Sequence, residues 1–340
     1  MKLGLSGCLV CILALMSLLL PARMPGKFPA ASRSFGFTYQ LTLKEIPSGT
    51  QRVRIWIPRA DSDVHQAVVL KKVDGPVRLR DEVVAPFANH LLYGEIRRPQ
   101  SPTAEFIAKY EVTRTEYSKG DYEELQKVSE VDRTPPRELR RYLAPDRLVP
   151  IDGRIKRIAD EATRGKVTTV DKARALYDFV FHTVSYDKSG TGWGRGDSLW
   201  VCDAKHGNCT DFHSLFISLA RAEGIPARFE IGFPVPSGSG GTIRGYHCWA
   251  EFYVRGAGWV PVDISEAWKD PRKHDYFFGS LDANRVQFSV GRDLVLQPHQ
   301  QGEPLNYFIY PYVELDGKPF DKIETRFSYR QSRGGLARVF

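Results

Sequence analysis

The sequence predicts an α+β protein in which a β-rich N-terminal region precedes a unit of helices packed on an antiparallel sheet. Three patterns carry that expectation. Phe35, Phe37, Tyr39, Leu41 and Leu43 alternate with Gly36, Thr38, Gln40 and Thr42, the period of a strand with one apolar face. From Ile151 the spacing changes: Ile151, Ile155, Ile158 and Ala162 recur three or four residues apart, as on one side of a helix. After Gly224 the alternation returns at Phe229, Ile231 and Phe233, and two more runs, His247 to Val254 and Trp259 to Asp263, flank the turn-forming Arg255-Gly-Ala-Gly258.

In chain order, Lys2 and the apolar run from Leu3 to Leu20, ended by Pro21-Ala22, read as a signal peptide or an uncleaved signal anchor over residues 1–31. That places the protein outside the cytoplasm, periplasmic or secreted, or held at the membrane by residues 3–20. Residues 32–120 form the β-rich region, with Val53, Ile55 and Ile57 on a strand that stops at Pro58, and a longer strand from Ala104 to Thr115. Residues 121–150 are charged and broken by Pro135-Pro136, Pro145 and Pro150, the composition of a linker.

Residues 151–270 hold the helical unit. A helix opens at Thr168-Thr169-Val170-Asp171, where a threonine precedes an acid by three positions, and runs on with Ala173, Tyr177, Val180 and Val184. Tyr186 to Ser198 carries Gly190, Gly192, Gly194 and Gly196 and reads as a loop. A further helix starts at Cys209, with Asn208 as its cap; Phe212, Leu215, Phe216, Leu219 and Ala220 make its apolar stripe, and Gly224 with Pro226 ends it. Residues 271–340 are aromatic, rich in Gly and Pro, and read as an extension packed on this unit rather than a third domain.

Of 340 residues, 42% are hydrophobic and 26% charged, a composition that excludes a disordered chain and suffices for a large core. The net charge of +8 is spread among interspersed acids and bases, and Lys2, Arg23 and Lys27 of the leader contribute to it; no basic tract points to nucleic acid. Five cysteines include Cys202, Cys209 and Cys248 beyond the leader. An odd number in an exported chain points to one free thiol or an intermolecular bridge, and if Cys209 is the free thiol, Cys202 with Cys248 is the one internal pairing left.

Cys209 at a helix start, His247 on one strand and Asp263 at the end of the next supply a thiol nucleophile, a base and an acid to orient the imidazole. A helix N-terminus and a neighbouring imidazolium both lower a thiol's pKa, and the Cys209 amide is placed to donate to an oxyanion. Register raises one difficulty. If Val254 pairs with Trp259, Asp263 falls opposite Ala250, roughly 10 Å along the strand from His247 at about 3.3 Å per residue, so a bulge at Gly256 or Gly258, or strong twist, is needed to bring them together. A competing arrangement, Cys202-x3-His206-x2-Cys209-x3-His213, offers four zinc-type ligands; it would occupy the nucleophile and leave His247 and Asp263 without a role.

Three blocks together, Gly207-Asn-Cys209-Thr-Asp211 leading to Leu215-Phe216 and Arg221-x2-Gly224-Ile-Pro-Ala-Arg228, then His247-x-Trp249-x-Glu251, then Gly258-Trp-x-Pro-Val-Asp263, resemble the transglutaminase-like superfamily of cysteine enzymes. The resemblance spans roughly residues 150–270. It implies a papain-like α+β core, with Cys209 as nucleophile, His247 as base and Asp263 as orienting acid. The family also places an aromatic or polar side chain near the oxyanion, for which Trp193, Trp200 and Asn208 are the candidates. No acidic cluster resembles the calcium sites of animal transglutaminases, so no metal or cofactor is implied. The expected reaction is attack on a carboxamide to give a thioester, released by water or by an amine, with hydrolysis of a peptide, a protein or a cell-wall peptide favoured. Two alternatives stand beside it: a cross-linking transglutaminase, and a degenerate domain that serves as a binding or scaffold module.

Overall fold

The computed structural model describes residues 30–128 and 137–332. The expected leader lies outside them except for its last two residues, as does Pro135-Pro136. No helix among the described residues is long and apolar enough to cross a membrane.

The β-rich region forms from the predicted alternation. Strand Ser32–Leu43 buries Phe35, Phe37, Tyr39, Leu41 and Leu43, and its other residues stay at least partly exposed. It pairs antiparallel with Ala104–Thr115, and Gln66–Asp74 adds to that strand's far edge. A second sheet is built around Arg52–Pro58, Asn89–Arg97 and Arg80–Val84.

The chain's last strands complete both sheets. Ile323–Gln331 pairs with the first strand, Tyr39 opposite Phe327, and Tyr312–Leu315 pairs with Arg52–Pro58, Val313 opposite Ile55. Gly240–Ile243, from the helical half, then adds to the outer edge of Ile323–Gln331. The expectation of a separate N-terminal domain and an extension resting on the catalytic unit is therefore corrected. Each of these two sheets has five strands and draws on both ends of the chain.

The physical reason is aromatic burial. Phe233 of the helical half lies 5.3 Å from Phe37 and 4.3 Å from Phe327, ring centre to ring centre, and Phe288 lies 5.2 Å from Phe233. One contiguous core runs from the first strand through the helical unit to Tyr329. The buried face of each half is the surface on which the other is packed.

Six helices are described: α1 (Tyr122–Val128), α2 (Gly153–Ala162), α3 (Thr169–Thr183), α4 (Ser198–Ala204), α5 (Cys209–Ala222) and α6 (Ile264–Lys269). Thr168 caps α3, accepting from the Asp171 N–H at 3.1 Å. Helix α5 lies on a four-stranded antiparallel sheet ordered Gly258–Val262, His247–Val254, Ala227–Pro234, Arg285–Val290. Its predicted apolar stripe is buried, and so is its polar side. Arg221 reaches Asp146 at 2.8 Å and the Ala227 carbonyl at 3.0 Å, and Ser214 accepts from Arg292 at 2.6 Å. Gly224, at φ +76, turns the chain out of the helix in a conformation that side chains resist.

Candidate active site

The start of α5 is fixed by reciprocal capping. The Asn208 side chain accepts from the Thr210 N–H at 2.8 Å, and Asp211 accepts from the Asn208 N–H at 2.9 Å. Asp211 also takes the Gly194 N–H at 2.6 Å and the Gly196 N–H at 2.9 Å, pinning the glycine-rich loop against the helix. Gly207 is required here, since a Cβ on it would fall 2.4 Å from the Asp211 carboxylate. Cys209 is the first residue of α5, so its N–H has no acceptor within the helix.

His247 begins the neighbouring strand, and Asp263 follows the end of the strand beyond it. The hairpin pairs Val254 with Gly258 and Ala250 with Val262, one residue off the register expected from sequence. Asp263 thus continues opposite Trp249, two residues from His247 and on the same face, and no bulge is needed. The carboxylate meets the ring directly: His247 Nε2 lies 2.7 Å from Asp263 Oδ2. That leaves Nδ1 as the ring nitrogen available to the thiol.

Asp263 is fully buried, and its other partners account for its charge. Arg285 Nη1 donates to Oδ2 at 2.8 Å, while Oδ1 accepts from the Ser265 hydroxyl at 3.2 Å and the Glu266 N–H at 3.1 Å, making Asp263 the N-cap of α6. Burial opposes ionisation, but the charges of His247 and Arg285 hold the carboxyl well below its usual range. For His247, burial is likewise outweighed by Asp263 and Cys209, and its pKa is pushed up to about 10. Burial would raise the Cys209 thiol; its interactions with Cys248 and with His247 prevail and hold it well below an ordinary cysteine. The site favours a thiolate beside an imidazolium.

A second histidine supports this arrangement. His213 Nδ1 lies 2.7 Å from the Cys209 carbonyl, and His213 Nε2 accepts from the Ile264 N–H at 3.0 Å, tying the first turn of α5 to the start of α6. Burial lowers its pKa to about 4, so it is neutral at pH 7. Both ring nitrogens are engaged, which corrects the zinc arrangement that would have used them. Cys202, Cys209 and Cys248 are all free thiols, and Cys248 Sγ faces Thr210 Oγ1 at 3.7 Å; the Cys202–Cys248 pairing is not made.

Of the three oxyanion candidates, only Asn208 is at the site. Trp193 lies with its ring 5.8 Å from Lys188 Nζ, and Trp200 stands edge-on to His206 at 5.3 Å while covering Gly192. Among the described contacts neither ring touches Cys209, His247 or Asp263. Sequence reasoning missed Arg285 and Tyr246, and gave His213 and Cys248 other parts, as a zinc-type ligand and as the partner of Cys202. Tyr246 and Cys248 flank His247 directly in the sequence, the signal that could have found them. A cleft of about 670 Å³ opens beside His247, lined also by Tyr186, Lys188, Arg244, Tyr246 and Lys269.

Comparison with known proteins bears on the family and the fold. Residues 156–264 match the family model of the transglutaminase-like superfamily. An uncharacterized protein of Haemophilus influenzae is 30% identical over 251 residues, covering 62% of this chain and 68% of its own. One from Mycobacterium leprae is 26% identical over 216 residues, covering 59% of this chain and 72% of its own. The crystal structure of a candidate cysteine protease from Cytophaga hutchinsonii aligns with a TM-score of 0.60 over 91% of this chain and 94% of that one, at 14% identity, a likeness of fold that includes the β-rich region. With its helix-borne cysteine packed on an antiparallel sheet, and by the match over residues 156–264, the chain belongs to the transglutaminase-like superfamily.

Proposed function

We propose that the protein is a thiol enzyme that cleaves or transfers acyl groups at amide bonds, with Cys209 as nucleophile, His247 as base and then acid, and Asp263 as the group that orients and charges the imidazole. The observation that carries this reading is the 2.7 Å bond from His247 Nε2 to Asp263, which turns the other ring nitrogen toward a thiol at a helix start. The thiolate adds to the carbonyl carbon, and the carbonyl π pair moves onto oxygen beside the Cys209 N–H. Collapse breaks the C–N bond, His247 gives its proton to the departing amine, and a thioester remains. Water or a second amine, deprotonated by His247, then releases the acyl group.

Hydrolysis is the favoured outcome, which makes the protein a peptidase or amidase. Protein cross-linking is the second outcome of the same thioester. The charged N-terminus and apolar run of residues 2–20 support an exported enzyme acting on peptides, proteins or cell-wall peptide, with the membrane met only through an uncleaved anchor.

Incubation with a peptide library and a primary-amine donor, read by mass spectrometry, tests the reading. Free acid marks hydrolysis and amine incorporation marks transfer, and either should vanish in Cys209→Ala. If neither product forms and iodoacetamide leaves Cys209 untouched, the protein is a non-catalytic binding module.

A further inference from the structure

The cleft beside His247 carries more positive charge than its own acids neutralise. Among the described residues its lining holds two acids, Glu266 and Asp282, and both are engaged. Glu266 accepts from Lys269 Nζ at 2.6 Å; Asp282 accepts from the Asn284 N–H at 2.9 Å and has Arg285 Nη2 3.7 Å away. Asp263 is met by His247 and Arg285. The acids Asp263, Glu266 and Asp282 thus balance the cations His247, Lys269 and Arg285.

Two cations of the lining remain. Arg244 is exposed, and among the described residues its guanidinium has no hydrogen-bond or ion-pair partner. Lys188 is exposed as well, and among the described residues its ammonium meets only rings, 5.6 Å from the centre of Tyr186 and 5.8 Å from that of Trp193. Its neighbour Asp187 is turned into its own loop, where it accepts from the Ser189 N–H at 2.8 Å and hydroxyl at 2.7 Å. Arg244 follows the edge strand Gly240–Ile243 and stands three residues before His247; Lys188 stands two residues after Tyr186. Much of the wall shared by these two charges is apolar, from Pro234, Val235, Pro236 and Ile243, and a cleft with low-dielectric walls focuses the field of the charges on its rim.

We propose that Arg244 and Lys188 set the specificity of the cleft, selecting acyl donors that carry a carboxylate beside the reacting carboxamide: acidic peptides in preference to neutral or basic ones. This rests on the thiol-enzyme reading above. Chemistry at amide bonds calls for a peptide, and the anion that a peptide brings is a carboxylate. The planar fork of Arg244 matches that group through two parallel N–H bonds, and Lys188 adds a point charge on a flexible stem. Neither residue belongs to the Cys209, His247 and Asp263 set. The donor's carboxylate is equally charged before and during bond formation, so these contacts favour binding and transition state alike and are felt in KM rather than kcat.

Two alkylating reagents read the charge of the cleft without a substrate. Iodoacetate and iodoacetamide both lose iodide to the Cys209 thiolate, and they differ in that the first is an anion and the second is neutral. Replacing both cations, Lys188→Gln with Arg244→Gln, should lower the iodoacetate-to-iodoacetamide rate ratio about 10-fold at low ionic strength, and the drop should shrink toward unity in about 0.5 M salt. In the peptide library, donors with Glu or Asp next to the reacting residue should outpace their Gln or Asn twins through a lower KM, in the wild type and not in the double variant. A rate ratio equal in the two proteins overturns the proposal, as does a library in which acidic donors hold no advantage. If both reagents alkylate Cys209 and no peptide is turned over, the thiol-enzyme reading falls, while the rate ratio still decides whether these two cations draw anions to the thiol.

Discussion

Asp263 Oδ2 accepts from two cations at once, His247 Nε2 at 2.7 Å and Arg285 Nη1 at 2.8 Å. The arginine comes from the strand at the far edge of the four-stranded sheet, and its guanidinium lies 5.0 Å over the Trp249 ring. It offsets the carboxylate's charge without competing for the imidazole's position. Asp263→Asn should therefore preserve shape while removing the charge that stabilises imidazolium and leaving Arg285 buried without a counter-charge. We expect kcat to fall on the order of 10³–10⁴-fold with KM little changed. Steady-state kinetics on any substrate found by the library screen checks this; a KM effect with kcat retained would assign Asp263 to binding.

Thiol reactivity should report the ion pair. Iodoacetamide should modify Cys209 ahead of Cys202 and Cys248, whose thiols burial pushes up. The Cys209 rate should hold through neutrality and fall only as acid protonates its lowered thiol. The histidine also enters stability: its pKa rises from 6.5 to about 10 on folding, so its contribution is complete below 6.5 and is lost as the pH rises through 10. The gap in melting temperature between wild type and His247→Ala should narrow across that interval, and a gap that widens would contradict the assigned charge states.

A second buried charge group lies on the same sheet. Glu230 accepts from Trp249 Nε1 at 2.9 Å and shares Arg228 with Glu251, at 2.9 Å and 2.6 Å respectively. Burial first, and Glu251 second, raise the Glu230 pKa from 4.5 to about 8. The folded state thus holds a proton that the unfolded state releases, and stability is lost as the pH climbs from 4.5 through 8. Glu230→Gln cannot titrate. Its stability relative to wild type should rise across that window in urea melts, and a flat difference would refute the shift.

The shared core makes its own prediction. Phe327 is 4% exposed, with its ring 4.8 Å from Tyr39 and 4.3 Å from Phe233. Phe327→Ala should cost about 3–5 kcal/mol, measured by denaturant unfolding, despite its distance in sequence from the thiol. A fragment of residues 146–340 should aggregate, because it exposes Phe233, Phe288 and Phe327 where Phe37 and Tyr39 should lie. A soluble fragment with a reactive Cys209 would show that the two halves fold independently.

What the sequence revealed and what it hid divides along locality. Cys209 could be read because its cap, apolar stripe and Gly224 stop lie within one helix. His247 and Asp263 were found through their flanks, yet their pairing was misjudged by one residue, because a glycine-rich turn fits more than one register. Trp193 and Trp200 were drawn to the oxyanion by residue type alone; Asp211 and the positive-φ glycines aim that loop, and neither reveals direction in a sequence. Arg285 and the partners of the closing strands were invisible for a plainer reason. Their partners are set by the fold's long-range pairing, and no local pattern records which strand meets which.

The pairing of the first strand with the last bears on how the protein is made. Arg33 donates to Gln331, a residue 298 positions later, at 3.0 Å, and every rung from Phe35 to Leu43 waits for that same final stretch. As the chain leaves the ribosome, the strand synthesised first has no permanent neighbour on that edge until nearly all the rest has emerged. The helix carrying Cys209 is finished well before, but the aromatic layer behind its sheet stays open until Phe327 arrives. Assembly of the helical half thus belongs to the end of synthesis, and a chain cut short before Ile323 would present an unpaired edge and a bare aromatic face in place of a closed core.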